Sequence, residues 1–474
     1  MHDTVELRLP DPLLAKRIAE STQTRDSAVL PTARIGEWLH GRRQVQTQRV
    51  TRMPLTGLRG WSFRDDTGDL VHASGKFFAV EGLAVSTDQG PVGHWTQPIV
   101  NQAEIGVLGI AVKEIDGVLH CLMQAKVEPG NINGVQLSPT VQATKSNYTR
   151  VHGGAEVPYL EHFRDPEPGS VIADVLQSEQ GAWFFRKRNR NMVVEVGPDV
   201  EAADGFCWLT LGQVLDLLAV DNLVSMDART VLSCVPFGTA GPRSAADGFA
   251  CALALSCDPA SGSLHTTTDV RSWMTGVLSS VEVSARRVPL NTVTGWSRTD
   301  WEIRHDRGLH FSVIGVDVEA RGREVAAWQQ PLVRPHGIGI AALLVRRFGG
   351  VLHALVNARI EPGYLNAVEL APTVQCTPSN YAELPPGSLP PFLEVVRGRP
   401  DGAVRFEAEL SEEGGRFHHA RTRYSVIEVG RGVADTEPPG YRWLAPHQLA
   451  ELLAHSHYVN VQARTLVACL VGLR

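Results

Sequence analysis

The sequence predicts an α+β fold made by tandem duplication. Each copy is expected to be a mixed or antiparallel sheet with flanking helices, and the two to be related by a pseudo-two-fold. Three observations carry this: a long segment recurs, each copy holds paired apolar runs broken by turn residues, and each closes on helical signals. Residues 117–148 read GVLHCLMQAKVEPGNINGVQLSPTVQATKSNY and residues 350–381 read GVLHALVNARIEPGYLNAVELAPTVQCTPSNY, identical at 20 of 32 positions at an offset of 233 without a gap. A unit this long is a domain, not a solenoid repeat.

The correspondence extends in both directions. Upstream, Trp38, Arg52, Pro54 and Gly60-Trp61 match Trp273, Arg287, Pro289 and Gly295-Trp296, and Trp95 and Gln97-Pro98 match Trp328 and Gln330-Pro331. Downstream, Arg188, Arg190 and Glu195 match Arg421, Arg423 and Glu428, and Ala228-Arg229-Thr230 matches Ala463-Arg464-Thr465. The expected organisation is an N-terminal arm over 1–33, a first repeat over 34–235, a linker over 236–268 and a second repeat over 269–474. The linker assignment rests on a stretch rich in Ala, Gly, Ser and Pro.

In chain order, Pro10-Asp11-Pro12 opens a helix through Leu14, Ile18 and Ala19. The apolar runs Gly106–Lys113 and Gly339–Arg347 end at Asp116-Gly117 and Gly349-Gly350, and a second run follows each, the pattern of a β-hairpin. That second run alternates. In copy two His353, Leu355, Asn357, Arg359 and Glu361 share a face; in copy one His120, Leu122, Gln124, Lys126 and Glu128 do. Pro129-Gly130 and Pro362-Gly363 break the strands. Near the end of copy one, Thr210 and Gln213 form a capping box; in copy two Ala445-Pro446 puts proline at the first helical position. A further short helix carries Arg229 or Arg464.

Composition narrows the function. The 474 residues are 43% hydrophobic with a net charge of -6, which disfavours disorder and a general nucleic-acid binder. No apolar run is long enough to span a bilayer and the N-terminus lacks a secretory core, so no membrane role and a cytoplasmic location are expected. Seven cysteines without a Cys-x-x-Cys read as reduced thiols. Of 17 histidines only His418-His419 are adjacent, so no metal is expected.

The candidate site residues are those kept in kind by both copies. They are the cation–carboxylate pairs Lys126/Glu128 and Arg359/Glu361, then Thr140, Gln142, Asn147 and Tyr148 matched by Thr373, Gln375, Asn380 and Tyr381. Asn357 belongs to the same face. The paired arginines Arg52/Arg287, Arg188/Arg421 and Arg190/Arg423 suit a diphosphate through forked hydrogen bonds, or serve as surface ion pairs. Trp61/Trp296 and Trp95/Trp328, with Gln97/Gln330, could hold a base or be core.

Trp-x-Gln-Pro, Gly-Val-Leu-His, Glu-Pro-Gly, Pro-Thr-Val-Gln and Asn-Tyr, each present twice, resemble the NDP-hexose 2,3-dehydratases. The resemblance implies two Nudix-like domains, a homodimer, and a dTDP-4-keto-6-deoxy-D-glucose substrate in deoxysugar and antibiotic biosynthesis. The Nudix hydrolase signature is missing, so pyrophosphohydrolysis is disfavoured. In the implied reaction the C4 ketone acidifies the C3 proton, a base removes it, and the C2 hydroxyl leaves as water. The product is a 3,4-diketo-2,6-dideoxy sugar, unstable and consumed by a downstream 3-ketoreductase. A base, an enolate donor and an acid suffice; no cofactor is expected. Copy two holds Glu369 where copy one holds Gln136, which favours copy two as the catalytic half. Its base is expected to be Glu361 or Tyr381, with Glu369 and His353 as proton-transfer partners. A non-catalytic nucleotide-sugar-binding protein and a keto-sugar isomerase are the competing readings.

Overall fold

A computed structural model describes residues 13–144, 156–237, 241–242, 247–321, 325–385, 387–399 and 401–474. Copy one runs α1 (Leu14–Gln23), α2 (Thr32–Val45), β1 (Gln48–Met53), β2 (Trp61–Phe63), β3 (Leu70–His72), β4 (Ala79–Thr87), β5 (His94–Asn101), β6 (Gly106–Ile115), β7 (Val118–Val127), β8 (Val135–Ser138), β9 (Val141–Ala143), α3 (Glu161–Arg164), β10 (Val171–Ser178), β11 (Arg188–Glu195), β12 (Phe206–Thr210), α4 (Leu211–Leu217) and α5 (Met226–Ser233). Copy two repeats the order: α6 (Gly248–Ser256), α7 (Thr267–Ser280), β13 (Val283–Val288), β14 (Trp296–Arg298), β15 (Glu302–His305), β16 (Phe311–Ala320), β17 (Ala327–Pro335), β18 (Gly339–Phe348), β19 (Val351–Ile360), β20 (Val368–Ala371), β21 (Val374–Cys376), α8 (Leu393–Arg397), β22 (Val404–Ser411), β23 (Arg421–Glu428), β24 (Tyr441–Leu444), α9 (Pro446–Leu453) and α10 (Val461–Gly472).

Each copy has a main sheet, β10-β11-β6-β7-β12 in one and β22-β23-β18-β19-β24 in the other, with β8 and β9 or β20 and β21 added. The β6–β11 and β18–β23 pairs are parallel and their other neighbours antiparallel, so the sheets are mixed. Alternation along β7 sends Leu119, Cys121, Met123 and Ala125 into a central core that also takes Leu343 and Leu466 from copy two. The opposite face is covered too. Phe163 of α3 joins Leu122 in copy one, and Leu393 and Val396 of α8 join Leu355 in copy two.

The smaller sheets exchange strands. β1 of copy one pairs antiparallel with β16 of copy two, Gln48 opposite Ala320 through Met53 opposite Gly315. β13 of copy two pairs with β4 of copy one, Val283 opposite Thr87 through Val288 opposite Gly82. Between them Trp61, Leu70 and Phe78 pack with Ile303, Phe311 and Val333 in one core. At the centre α5 packs on α10. The buried Arg229 donates to Ser411 O at 2.7 Å and Thr465 Oγ1 at 3.3 Å, while Arg464 donates to Ser178 O at 2.5 Å and Thr230 Oγ1 at 2.6 Å. These recurring arginines therefore satisfy backbone carbonyls across the seam, as a buried guanidinium must.

The capping box of α4 forms as the sequence predicts, with Thr210 and Gln213 bonded reciprocally. Proline begins α9. The segment read as a linker holds α6, which packs on β19 as α1 packs on β7. Ser21 Oγ of α1 donates to Leu119 O at 2.5 Å, and Ser256 Oγ of α6 accepts from Leu352 N at 2.6 Å. Arm and linker thus hold matching elements of the two copies. No helix among the described residues is long and apolar enough to cross a membrane.

Candidate active site

The Glu-Pro-Gly turns mark where the copies interlock. Gly130 N donates to Gly414 O at 2.7 Å and Gly363 N donates to Gly181 O at 2.8 Å. A side chain on Gly130 would overlap the Phe417 carbonyl, and one on Gly363 the Phe184 carbonyl. The motif therefore needs glycine for close backbone approach. The crossing turns are held by the Trp-x-Gln-Pro motif. Trp328 Nε1 donates to Gln330 Oε1 at 2.7 Å, and Gln330 Nε2 to Gly415 O at 2.7 Å. Trp95, Gln97 and Ala182 repeat this relay at 2.9 and 2.8 Å.

In copy one this junction encloses a cavity of about 590 Å³, within the ~300–1,000 Å³ of small-molecule sites. Its wall includes Lys126 at the end of β7, Glu128 before the turn, Gln142 on β9, Asn189 on β11, and Asp227 in the first turn of α5. Copy two supplies Trp328, Gln330, Glu413 and Arg416. Lys126 Nζ lies 3.3 Å from Glu128 Oε1 and donates to Gln142 Oε1 at 3.2 Å. Arg416 donates to Gln102 at 3.1 Å and lies 4.5 Å from the Phe78 ring centre. Trp61, His72 and Phe77 make an aromatic edge, with His72 4.4 Å from Phe77 and 5.2 Å from Trp61.

Charges in this wall are poorly hydrated. Burial pushes the Glu179 carboxyl up and the Lys187 ammonium down, each opposed in part by nearby opposite charge. Burial, then the neighbouring carboxylates of Glu413, Glu179 and Glu128, raise Asp227 well above the carboxylate range. A cavity holding both proton donors and acceptors near neutrality is suited to general acid–base chemistry.

The corresponding place in copy two is occupied by a hydrogen-bonded cluster. Arg359 Nε donates to Glu361 Oε1 at 2.8 Å, Gln375 Nε2 to the same oxygen at 3.0 Å, and Asn460 Nδ2 to Gln375 Oε1 at 2.8 Å and Tyr364 OH at 3.1 Å. Copy one has the smaller Asn131, Ser225 and Lys126 where copy two has Tyr364, Asn460 and Arg359.

Apart from Trp61 at the cavity's edge, the other expected site residues stand elsewhere. His353 is bonded at both ring nitrogens, near Val351 O at 3.0 Å and accepting from Leu264 N at 3.0 Å, so it anchors the chain rather than serving Glu361. Thr140 and Thr373 are buried, their hydroxyls donating to Leu122 O and Leu355 O. Glu369 is buried on the seam with Ser178. Arg52 and Arg287, on the exchanged strands, pair with Glu302 and Glu81 at 3.1 and 3.0 Å. Arg190 and Arg421 pair with Asp174 and Glu409 at 2.6 and 2.5 Å. Arg188 shares the Arg190 face of β11, opposite Asn189, and Arg423 is exposed. Trp61 and Trp296 donate to Gln329 O and Thr96 O of the other copy, at 3.0 and 3.1 Å. Asn357 bonds with Tyr441, and Asn380 accepts from His310 N at 3.0 Å. Tyr381 packs half-buried beside Arg359. Asn147 and Tyr148 lie outside the described residues.

Several cavity residues escape a motif search. Lys187, Asp227, Glu413 and Arg416 match Ala420, Gln462, Gln180 and Trp183 in the other copy. The usable signal was difference between the copies, whereas a repeat search weighs identity.

The NDP-hexose 2,3-dehydratase family pattern matches residues 32–235 and again 267–470. The chain belongs to the NDP-hexose 2,3-dehydratase family. It is similar to proteins named dTDP-4-dehydro-6-deoxy-alpha-D-glucopyranose 2,3-dehydratase. The one from Saccharopolyspora spinosa is 50% identical over 462 residues, covering 97% of this chain and 95% of the relative. The one from Amycolatopsis orientalis is 48% identical, covering 96% and 93%. The one from Streptomyces violaceoruber is 44% identical, covering 93% and 97%. The family match begins anew at residue 267, so each half of this dehydratase carries the family pattern although the two junctions are lined differently.

Proposed function

We propose that this chain removes the C2 hydroxyl of dTDP-4-keto-6-deoxy-D-glucose, and does so in the cavity of copy one. The relatives' names supply the substrate. The observation that carries the location is the cavity itself, lined by Lys126, Glu128 and Asp227 where copy two is filled by Arg359, Glu361 and Tyr364. The sequence favours copy two for its extra carboxylate, but that carboxylate, Glu369, is completely buried away from solvent. Glu128 takes the C3 proton, and Lys126, 3.3 Å from it, faces the enolate oxygen. Arg416 and Lys187 offer charge to the diphosphate, and the Trp61–His72–Phe77 edge offers a stacking surface to the base.

The product is the 3,4-diketo-2,6-dideoxy sugar, handed to a 3-ketoreductase. A cytoplasmic homodimer and a Nudix-like ancestry for each half belong to the same reading, the latter supported by a mixed sheet with a central parallel pair. The test is incubation with the keto sugar and a 3-ketoreductase, followed by mass analysis. Loss of the C2 oxygen is expected; an unchanged or epimerised sugar would point to the binding or isomerase alternatives.

A further inference from the structure

We propose that the elimination is shared between the copies: Glu413 of copy two is the acid that protonates the departing C2 hydroxyl, opposite the base Glu128 of copy one. This rests on the dehydratase reading above. The geometry centres on Gly415. A side chain there would clash with Glu413 Oε1 and lie 3.4 Å from Glu128 Oε2, so the two carboxyl groups flank one glycine. Glu413 is held by its own turn, accepting from Gly415 N at 2.7 Å and Arg416 N at 2.8 Å. The matching turn of copy one carries Gln180 instead. A carboxyl thus stands in the turn that serves the open cavity and an amide in the turn that serves the closed one.

The same wall holds a second sign of a ligand. Glu179 is 4% exposed, and its Oε2 has no hydrogen-bond partner among the described residues. A buried acceptor of this kind asks for a donor such as a sugar hydroxyl. The groups facing Glu413 are Glu128, Glu179, Asp227, Lys187 and Arg416. Burial raises the Glu413 carboxyl, Arg416 and its two backbone donors oppose this, and Glu128 adds to it. Carboxyls at such close quarters resist being ionised together, which suits one to act as base and its neighbour as acid.

The balance is simple. The C3–H bond breaks, its proton goes to Glu128, and its electron pair forms the enolate with the C4 carbonyl. The enolate collapses to a C2–C3 double bond, the C2–O bond breaks, and the oxygen leaves as water with the Glu413 proton. The Glu128 proton then passes to C2 as the enol at C3 becomes the ketone, whose hydroxyl proton returns to the pair. The sugar loses one water and the two carboxyls again hold one proton.

The test compares Glu413→Gln and Glu128→Gln in the full chain. Three readouts are used: elimination from the keto sugar, exchange of the C3 hydrogen with deuterated water in recovered substrate, and fluoride release from the 2-deoxy-2-fluoro analogue. Glu413→Gln should lose elimination about 100-fold or more, yet keep exchange and fluoride release within about tenfold, because fluoride leaves without a proton. Glu128→Gln should lose all three. Unimpaired elimination by Glu413→Gln overturns the assignment. So does joint loss of exchange and fluoride release in that variant when its melting temperature matches the parent's. If the unaltered chain leaves the C2 oxygen in place, the dehydratase reading itself fails.

Discussion

Glu369 of copy two accepts a hydrogen bond from Ser178 of copy one at 2.5 Å, across the seam between the copies. Its counterpart Gln136 donates to Ser411 at 2.9 Å across the same seam. One side of a reciprocal contact is an amide and the other a carboxyl. Burial, opposed in part by the Ser178 hydrogen bond and the Arg464 charge, pushes the Glu369 carboxyl from 4.5 up to about 7. The folded chain then holds this proton more tightly than the unfolded chain does. Stability is therefore lost as pH rises from about 4.5 to about 7, and the loss is constant above that. Glu369→Gln should be more stable than the parent above neutrality, by on the order of 3 kcal/mol, with the advantage gone near pH 4. Melting temperature against pH for both proteins checks this; parallel curves would sink it.

The two copies separate in a mirrored set of substitutions. Glu128→Gln should lower turnover by about 100-fold or more, in the range of a lost general base. Glu361→Gln with Tyr381→Phe should leave turnover within about tenfold, since they lie in a filled cluster rather than the cavity. Steady-state rates on the keto sugar decide. Loss confined to the copy-two changes would return the chemistry to that half.

Asn131 stands where copy two has Tyr364. Asn131→Tyr should fill space near Glu128 and weaken binding of dTDP by about tenfold or more, with little change in melting temperature. Titration calorimetry measures it. Undiminished affinity would place the nucleotide elsewhere.

Gly130 meets the Phe417 carbonyl without room for a methyl. Gly130→Ala should push the crossing turn away and cost about 2 kcal/mol or more, with activity falling as Glu128 and Glu413 separate. Chemical denaturation and kcat are the measurements. A neutral result would mean the turns interlock less tightly than the contacts imply.

Much of the fold was legible in the chain. The duplication, the hairpin strands, the alternation from His120 to Glu128 and the Thr210 cap all follow from local pattern, because period and capping are properties of neighbouring residues. The polar face of β7 shows the limit. Alternation places Leu122, Lys126 and Glu128 on one side, but says nothing of what lies over them. Phe163 and the satellite core cover Leu122, while the end at Glu128 opens into the cavity.

Local pattern and the repeat make the chain two matching α+β units of one family and show which residue types recur at their ends. Tertiary structure decided the rest: the exchange of β1 and β13, the placing of Glu413 and Arg416 in the other copy's cavity, and the closing of copy two by Tyr364 and Arg359. The physical reason is that these depend on contacts between segments hundreds of residues apart. A repeat comparison sees what both copies keep; space in a packed interior is set by side-chain volumes at positions where the copies differ.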